Sequence, residues 1–141
     1  MQERALKTRE KILATAIRLF ARDGLEGTRI DDLATTAQVN RQRIYAYFGN
    51  KEKLFEAAML EVFARANAED DKLLRLSEKD LQELTAILLR HYLEVHRLHP
   101  ALHRMVGWAN LQLKNAPIWM KDIKEKSFVQ LRELYQIGQS R

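Results

Sequence analysis

The segment AQVNRQRIYAYFGNKEKL, residues 37–54, decides the fold prediction. Asn40 is a residue type that caps helix N-termini, and the helix that it begins ends near Phe48, before a Gly-Asn break. Asn50 provides the same kind of cap for a further helix. At about 100° per residue, Ile44 and Phe48 fall on one face of the first of these helices. The segment therefore predicts a short helix that buries one narrow apolar face and exposes a polar one.

The polar face of this helix carries side chains of the types that read DNA. Arg41, Gln42 and Arg43 stand at its start, and Tyr45 and Tyr47 follow. Arginine can bond guanine O6 and N7 in the major groove, glutamine can bond adenine N6 and N7, and tyrosine hydroxyls can donate to phosphates. The alternative interpretation is a solvated helix face whose tyrosines pack at its edges.

Two helices that precede this one complete the pattern of a helix-turn-helix unit. Apolar residues recur at helical spacing from Thr8 to Gly24, a residue suited to a left-handed C-terminal cap. Thr28 and Asp31 have capping-box spacing and begin a second helix that runs to about Ala37. About three residues then separate the second helix from the third, which is a spacing typical of helix-turn-helix units.

The distribution of charge favours a polyanionic partner for the N-terminal third. The net charge is +5, and residues 1–53 hold 11 Lys and Arg against 7 Asp and Glu, whereas residues 54–141 hold 13 against 12. Lys51 opens the fourth helix, where backbone N–H groups favour anions, and Thr28 opens the second. Both are candidate phosphate contacts, although mild basicity is also common in proteins with other functions.

The rest of the chain predicts further helices and no strand. Residues 77–99 form a long amphipathic run that ends before Pro100, and Ser77 and Asp80 at its start have capping-box spacing. Residues 101–113 and 117–137 predict two more helices rich in large apolar side chains. The predicted fold class is therefore all-α.

Composition and motifs argue against several other classes of protein. The chain has no cysteine, no apolar run of 18 residues and no signal peptide, so we predict a cytoplasmic protein that does not bind membranes. His99 and His103 lie four residues apart, but Pro100 separates them and no carboxylate follows at ligand spacing, which argues against a metal site. No cofactor motif is present, and no serine lies on a nucleophile elbow, which argues against an enzyme.

Residues 8–59 resemble the N-terminal DNA-binding domain of the tetracycline-repressor (TetR) family. Three motifs carry the resemblance in order, and these are ILATAIRLFARDGLEGT, IDDLATTAQV and IYAYFGNKEKLF. The resemblance implies a transcriptional repressor that binds a palindromic operator in double-stranded DNA as a homodimer and is released by a small molecule. It implies a DNA-binding domain at 1–52, joined through helix four to a partial ligand-binding domain at 53–141 that lacks the last helices.

The resemblance also assigns roles to individual residues. The base-contacting positions are Arg41, Gln42 and Arg43, and the phosphate-contacting positions are Thr28, Tyr45, Tyr47 and Lys51. The ligand-pocket candidates are Tyr92, Met105, Trp108 and Trp119. One departure is Gln38, because the family usually has glycine in this turn and a left-handed backbone costs other residues about 1 kcal/mol. The alternative function is a helical ligand-binding or interaction protein whose DNA-binding domain does not function.

Overall fold

The computed structural model describes residues 2–114 and 118–140, apart from the side chains of residues 118–120, 123, 124, 126, 127 and 130. Within the described residues the secondary structure is helical and contains no strand, which confirms the all-α prediction. The α-helices are α1 (Gln2–Gly27), α2 (Ile30–Ala37), α3 (Arg41–Phe48), α4 (Lys51–Asp70), α5 (Leu84–Leu98), α6 (Pro100–Gln112) and α7 (Ile118–Gln139). Two 3₁₀ helices, Leu73–Arg75 and Glu78–Glu83, lie between α4 and α5. None of the described helices is both long and apolar enough to cross a membrane.

Contacts divide the chain into two compact units. Unit 1 comprises Met1–Val62 and Ala101–Lys114, and unit 2 comprises Phe63–Pro100 and Asn115–Arg141. The chain passes from unit 1 to unit 2 within α4. This is a grouping by contacts, whereas the predicted division into segments 1–52 and 53–141 is one of function and stays a prediction.

The caps predicted for α3 and α4 are present. The Asn40 side chain accepts a hydrogen bond from the backbone N–H of Arg43 at 2.8 Å. The Asn50 side chain accepts one from the backbone N–H of Lys53 at 2.7 Å. Each cap satisfies an N–H group that has no partner within its helix, which is why these two asparagines fix where the helices begin.

The backbone of α1 breaks at Gly24, three residues before the helix ends at Gly27. Gly24 has φ 75° and ψ −179°, a conformation essentially confined to glycine, and it frees carbonyl groups of the preceding turn. The hydroxyl of Thr28 donates to the Gly24 carbonyl at 2.7 Å, and the indole N–H of Trp108 donates to the Ala21 carbonyl at 3.2 Å. The predicted capping box at Thr28 is therefore wrong, because this hydroxyl closes α1 while Arg29 is the N-cap of α2 and makes no side-chain cap bond.

Two other helix starts differ from the predictions. α1 begins at Gln2 and not at Thr8. The prediction missed the first turns because they are exposed and carry no apolar periodicity. The segment Glu78–Glu83 is a 3₁₀ helix that leads into α5, although the Asp80 carboxylate does accept from the backbone N–H of Ser77 at 2.9 Å.

Two buried side chains of α3 anchor this helix to the core of unit 1. Ile44 and Phe48 are buried on α3, as their spacing predicts, and they are the only buried residues of this helix. At the centre of the unit, Phe20 of α1 and Phe55 of α4 meet edge to face with ring centroids 5.1 Å apart. Short α3 is therefore stable only because it packs, since an isolated helix of its length does not persist in water.

Unit 2 has a separate leucine core. Its buried members come from the first 3₁₀ helix, α5 and α7, and they are Leu73, Leu84, Leu88, Leu131 and Leu134. Leu76 and Leu81 pack against this cluster from its edge.

The turn between α2 and α3 uses a left-handed residue that is not glycine. Gln38 has φ 56° and ψ 45°, and no other non-glycine residue in the described part of the chain has a positive φ. Its N–H donates to the Thr35 carbonyl at 3.2 Å, and the N–H of Val39 donates to the Ala34 carbonyl at 3.0 Å. This is a Schellman motif, which requires the left-handed conformation at its first residue beyond the helix.

Replacing Gln38 by glycine is therefore expected to raise the free energy of unfolding by about 1 kcal/mol, because glycine adopts this conformation without steric cost. Urea denaturation of the two chains measures the change. Gln38→Ala is the control, since it removes the 3.4 Å contact between Lys11 Nζ and Gln38 Oε1 but keeps the strain. Equal stabilisation by alanine and glycine would contradict the explanation.

Candidate nucleic-acid interface

The exposed face of α3 presents two polar side chains that are unpaired among the described residues. Gln42 and Arg43 are exposed, and within the described residues neither side chain makes a hydrogen bond or an ion pair. Ala46, also exposed, leaves room on the same helix for close approach of a surface. Because Ile44 and Phe48 fix the opposite side, the helix is held in a defined orientation with its donors available for a partner.

Beside this face lies an open cleft in unit 1 that we call the cationic cleft. Its volume is about 310 Å³. Its lining comprises three cations, two carboxylates and three other residues, namely Arg29, Arg41, Lys51, Glu26, Asp31, Thr28, Ile30 and Tyr45. The loop before α2, the start of α3 and the start of α4 thus contribute positive charge to one surface depression.

Arg41 is held within the cleft by two neighbours. Its Nη1 lies 3.1 Å from Oδ1 of Asp31 on α2, and its guanidinium carbon lies 5.9 Å from the centre of the Tyr45 ring. A hydrogen bond with Tyr45 and the charge of Asp31 raise the pKa of Arg41 further above its ordinary value. Arg41 is thus a permanently charged group whose position is restricted before any partner arrives.

Lys51 brings its charge to a helix end that is already positive. It is the first residue of α4, and its Nζ donates to the backbone carbonyl of Thr28 at 3.1 Å. A cation at a helix N-terminus opposes the helix dipole. The same arrangement is favourable for a bound anion, because the ammonium and the free N–H groups of the helix attract it together.

The predicted phosphate contacts differ in their accessibility. Tyr45 is 37% exposed, and Tyr47 is half-buried with its ring centroid 6.5 Å from that of Phe48. Thr28 is only 2% exposed, and its hydroxyl is directed to backbone carbonyls of α1. The hydroxyl of Thr28 therefore lies in the interior. The backbone carbonyl of Thr28 accepts a hydrogen bond from Lys51 and so helps to position that side chain.

Sequence reasoning did not predict four of the residues that line the cleft, namely Glu26, Arg29, Ile30 and Asp31. Arg29 stands directly before a helix start, where a basic residue is a signal for a phosphate contact. Asp31 was predicted only as a member of a capping box with Thr28, and its pairing with Arg41 depends on how α2 and α3 cross. No spacing rule gives that crossing, because the two residues belong to different helices.

The structure distributes the predicted ligand-pocket residues between the two units. Met105 is fully buried and Trp108 bonds to α1, so both contribute to the packing of unit 1. Tyr92 belongs to unit 2, where burial raises the pKa of its hydroxyl, and its ring lies 6.5 Å from that of Phe128. The side chain of Trp119 lies outside the described residues. The pocket formed by these four residues stays a prediction.

Unit 2 also contains a cleft of about 390 Å³ that the sequence did not predict. It is lined by Lys72, Leu73, Leu76, Ile87, Arg90, His91 and Glu94. Next to it, His91 Nε2 lies 2.7 Å from Oδ1 of Asp70, an ordinary carboxylate–imidazole pair. In the part of the chain that the structure describes, no group of three histidines and carboxylates is arranged to hold a metal ion.

Comparison with known proteins identifies the relatives of this chain. The family model for bacterial regulatory proteins of the tetR family matches residues 12–58. The HTH-type transcriptional repressor NicS of Pseudomonas putida is 35% identical over 112 residues, which cover 77% of this chain and 51% of that protein. The HTH-type transcriptional repressor SCO4008 of Streptomyces coelicolor is 30% identical over 138 residues, which cover 95% of this chain and 66% of that protein.

A solved structure agrees with these relatives. HlyIIR, a hemolysin II transcriptional regulator, has a TM-score of 0.60 and 27% identity, with 96% of this chain and 75% of that chain covered. This chain spans about half of NicS and about two thirds of SCO4008. The matched segment 12–58 contains the second and third helices, the turn between them and all the residues that line the cationic cleft. The chain belongs to the tetR family of bacterial regulatory proteins.

Proposed function

We propose that this chain is a sequence-specific DNA-binding transcriptional regulator that acts as a repressor. In this proposal α3 enters the major groove, where Arg41, Gln42 and Arg43 contact bases. Lys51, Tyr45 and Tyr47 contact phosphates on either side and fix the register. The protein acts by binding and not by catalysis.

The observation that carries the proposal is the division of α3 into two faces. The buried pair Ile44 and Phe48 leaves Gln42 and Arg43 exposed, and within the described residues these two side chains make no hydrogen bond or ion pair. An arginine and a glutamine presented side by side on a rigid helix match the edges of guanine and adenine.

The cationic cleft supports the proposed contacts to phosphates. Arg29, Arg41 and Lys51 line it together with Glu26 and Asp31, and the remaining excess of positive charge favours an anionic partner. In double-stranded DNA the phosphates flank the major groove, so a helix in the groove and cations beside the helix fit one ligand. NicS and SCO4008, which are named as repressors, support the direction of regulation.

Several features of the proposal come from the family. We propose a palindromic operator, a homodimer, a small-molecule effector and a cytoplasmic location, since the regulators that this chain resembles are expected to work in this way. Sedimentation of the protein with and without operator DNA measures the number of chains bound per palindrome. One chain per site in every complex would contradict the dimer.

Binding measured against salt and sequence tests the function. We expect affinity for an operator, selected from a library of random duplexes, to fall steeply with salt. Arg43→Ala is expected to weaken operator binding by about 1 to 3 kcal/mol and to relax the preference at one base pair. Lys51→Ala is expected to weaken operator and scrambled duplexes alike, because phosphates carry no sequence. Fluorescence anisotropy measures all of these affinities.

The matched control for the two variants is Arg132→Ala, which also removes one positive charge but lies on α7 in unit 2. It is expected to change the affinity for both duplexes by less than about twofold, since it removes only long-range attraction. If wild-type protein binds operator and scrambled duplexes equally at every salt concentration, the proposed function is wrong.

A further inference from the structure

We propose that Asp31 is a specificity-determining residue, which holds the guanidinium of Arg41 in one orientation for reading a base. The inference rests on the proposed function of DNA binding. Its basis is a contact between two helices, because Asp31 lies in the first turn of α2 and Arg41 is the first residue of α3. The carboxylate and the guanidinium meet at 3.1 Å, between Oδ1 and Nη1.

Two neighbours contact Arg41. Oδ1 of Asp31 lies 3.1 Å from Nη1 of the guanidinium, and the central carbon of the guanidinium lies over the Tyr45 ring, 5.9 Å from its centre. A guanidinium has five N–H donors in a fixed plane, so one bond to Asp31 leaves enough donors for O6 and N7 of a guanine. Asp31 is therefore a positioning residue that acts on DNA through Arg41.

Restricting the Arg41 side chain before DNA binds favours the operator over other DNA sequences. An arginine side chain loses much rotational freedom when it binds a base, and a side chain that is already restricted loses less. A loosely bound Arg41 can reach any nearby phosphate, whereas an oriented one gains its full set of bonds only from the right base. The restraint therefore raises the affinity for the operator relative to other DNA.

The negative charge of Asp31 also raises the affinity for the operator relative to other DNA. Binding to unrelated DNA depends almost wholly on phosphate charge. The Asp31 side chain is 56% exposed within the cationic cleft, where it offsets part of the charge of Arg29, Arg41 and Lys51. Unrelated DNA meets this carboxylate without the compensating base contact, so Asp31 lowers the affinity for it.

The chain offers a matched control one residue away. Asp32 is also exposed in the first turn of α2, so it has the same charge and the same relation to the helix dipole. Its surroundings differ, because it does not line the cationic cleft. The charge of Asp32 instead acts on Arg22, whose pKa is raised first by the hydrogen bond to Asp23 and to a lesser extent by Asp32.

The test compares Asp31→Asn with Asp32→Asn in the full chain. Wild-type protein first selects an operator from random duplexes, and anisotropy then gives the dissociation constants for that operator and for a scrambled duplex. For Asp31→Asn we expect the ratio of the two constants to fall about 5- to 20-fold, within the range that one bidentate base contact provides. For Asp32→Asn we expect the ratio to stay within about twofold.

Two further variants separate positioning from simple charge. In an Arg41→Ala background, Asp31→Asn is expected to cause no further loss of sequence preference at the base pair that Arg41 reads. Asp31→Glu keeps the charge and is expected to restore part of the ratio. Thermal denaturation of each variant verifies that it is folded, which the exposure of Asp31 favours.

The outcomes distinguish the inference from the proposed function. If Asp31→Asn and Asp32→Asn change the ratio equally, or if Asp31→Asn strengthens binding to both duplexes by the same factor, Asp31 acts only as a charge and the inference is overturned. If the wild-type protein selects no sequence at all, the proposed function fails first. If an operator is selected but the ratio of the two dissociation constants is unchanged in Asp31→Asn, the inference is wrong while the proposed function stands.

Discussion

Gly24→Ala is expected to lower the free energy of unfolding by about 3 kcal/mol or more, because it combines backbone strain with overpacking. The backbone of Gly24 has φ 75° and ψ −179°, which side chains rarely allow. A Cβ atom built there lies 2.8 Å from the Trp108 ring and 2.8 Å from the Gln112 amide. The amide can move, but the ring is tied to α1 by its bond to the Ala21 carbonyl.

Urea denaturation followed by circular dichroism measures this loss, and Gly107→Ala is its matched control. Gly107 lies inside α6, and a Cβ atom there meets nothing within 4 Å. Alanine at this position is expected to stabilise the protein by up to about 1 kcal/mol, because glycine is a poor helix former. Similar effects at both glycines would contradict the explanation from the backbone conformation of Gly24.

Ile44→Ala is expected to lower the free energy of unfolding by about 2 to 5 kcal/mol, the range for removing a fully buried aliphatic side chain. Ile44 is 1% exposed and is one of only two buried residues on α3. Its loss leaves Phe48 as the main anchor of that helix. Binding to operator and scrambled DNA is therefore expected to weaken together, since every contact from α3 depends on its position.

The control on the same helix is Gln42→Ala. Gln42 is exposed and unpaired within the described residues, so its removal is expected to change stability by less than about 0.5 kcal/mol. The same substitution is expected to weaken operator binding while leaving scrambled DNA unaffected. Loss of stability in Gln42→Ala, or unaltered stability in Ile44→Ala, would contradict the assignment of the two faces.

Local signals in the sequence predicted much of unit 1. Asn40 and Asn50 act as caps as expected, since a cap needs only residues within one turn of the chain. The burial of Ile44 and Phe48 followed from helical periodicity alone. The resemblance to a family that uses glycine in this turn drew attention to Gln38, but it left open whether Gln38 is left-handed or the turn differs, and the structure shows the left-handed conformation.

The predictions failed where a side chain had a choice of partners. Thr28 has the right spacing for a cap, yet its hydroxyl binds carbonyls that the break at Gly24 has freed. The hydrogen bond from the indole N–H of Trp108 to the Ala21 carbonyl was also not predicted, whereas its place in a ligand pocket stays a prediction. The pairing of Asp31 with Arg41 likewise depends on the crossing of two helices. Such choices depend on tertiary contacts, which periodicity does not contain.

The cationic cleft has a consequence for the lifetime of the protein in the cell. Lys51 opposes the dipole of α4 in the cleft that it shares with Arg29 and Arg41, and an anion bound there offsets this unfavourable charge. A ligand that binds only the folded state lowers the population of unfolded chains by mass action. Under the proposed function, DNA binding and resistance to proteolysis are coupled, and chains without DNA are expected to be degraded first.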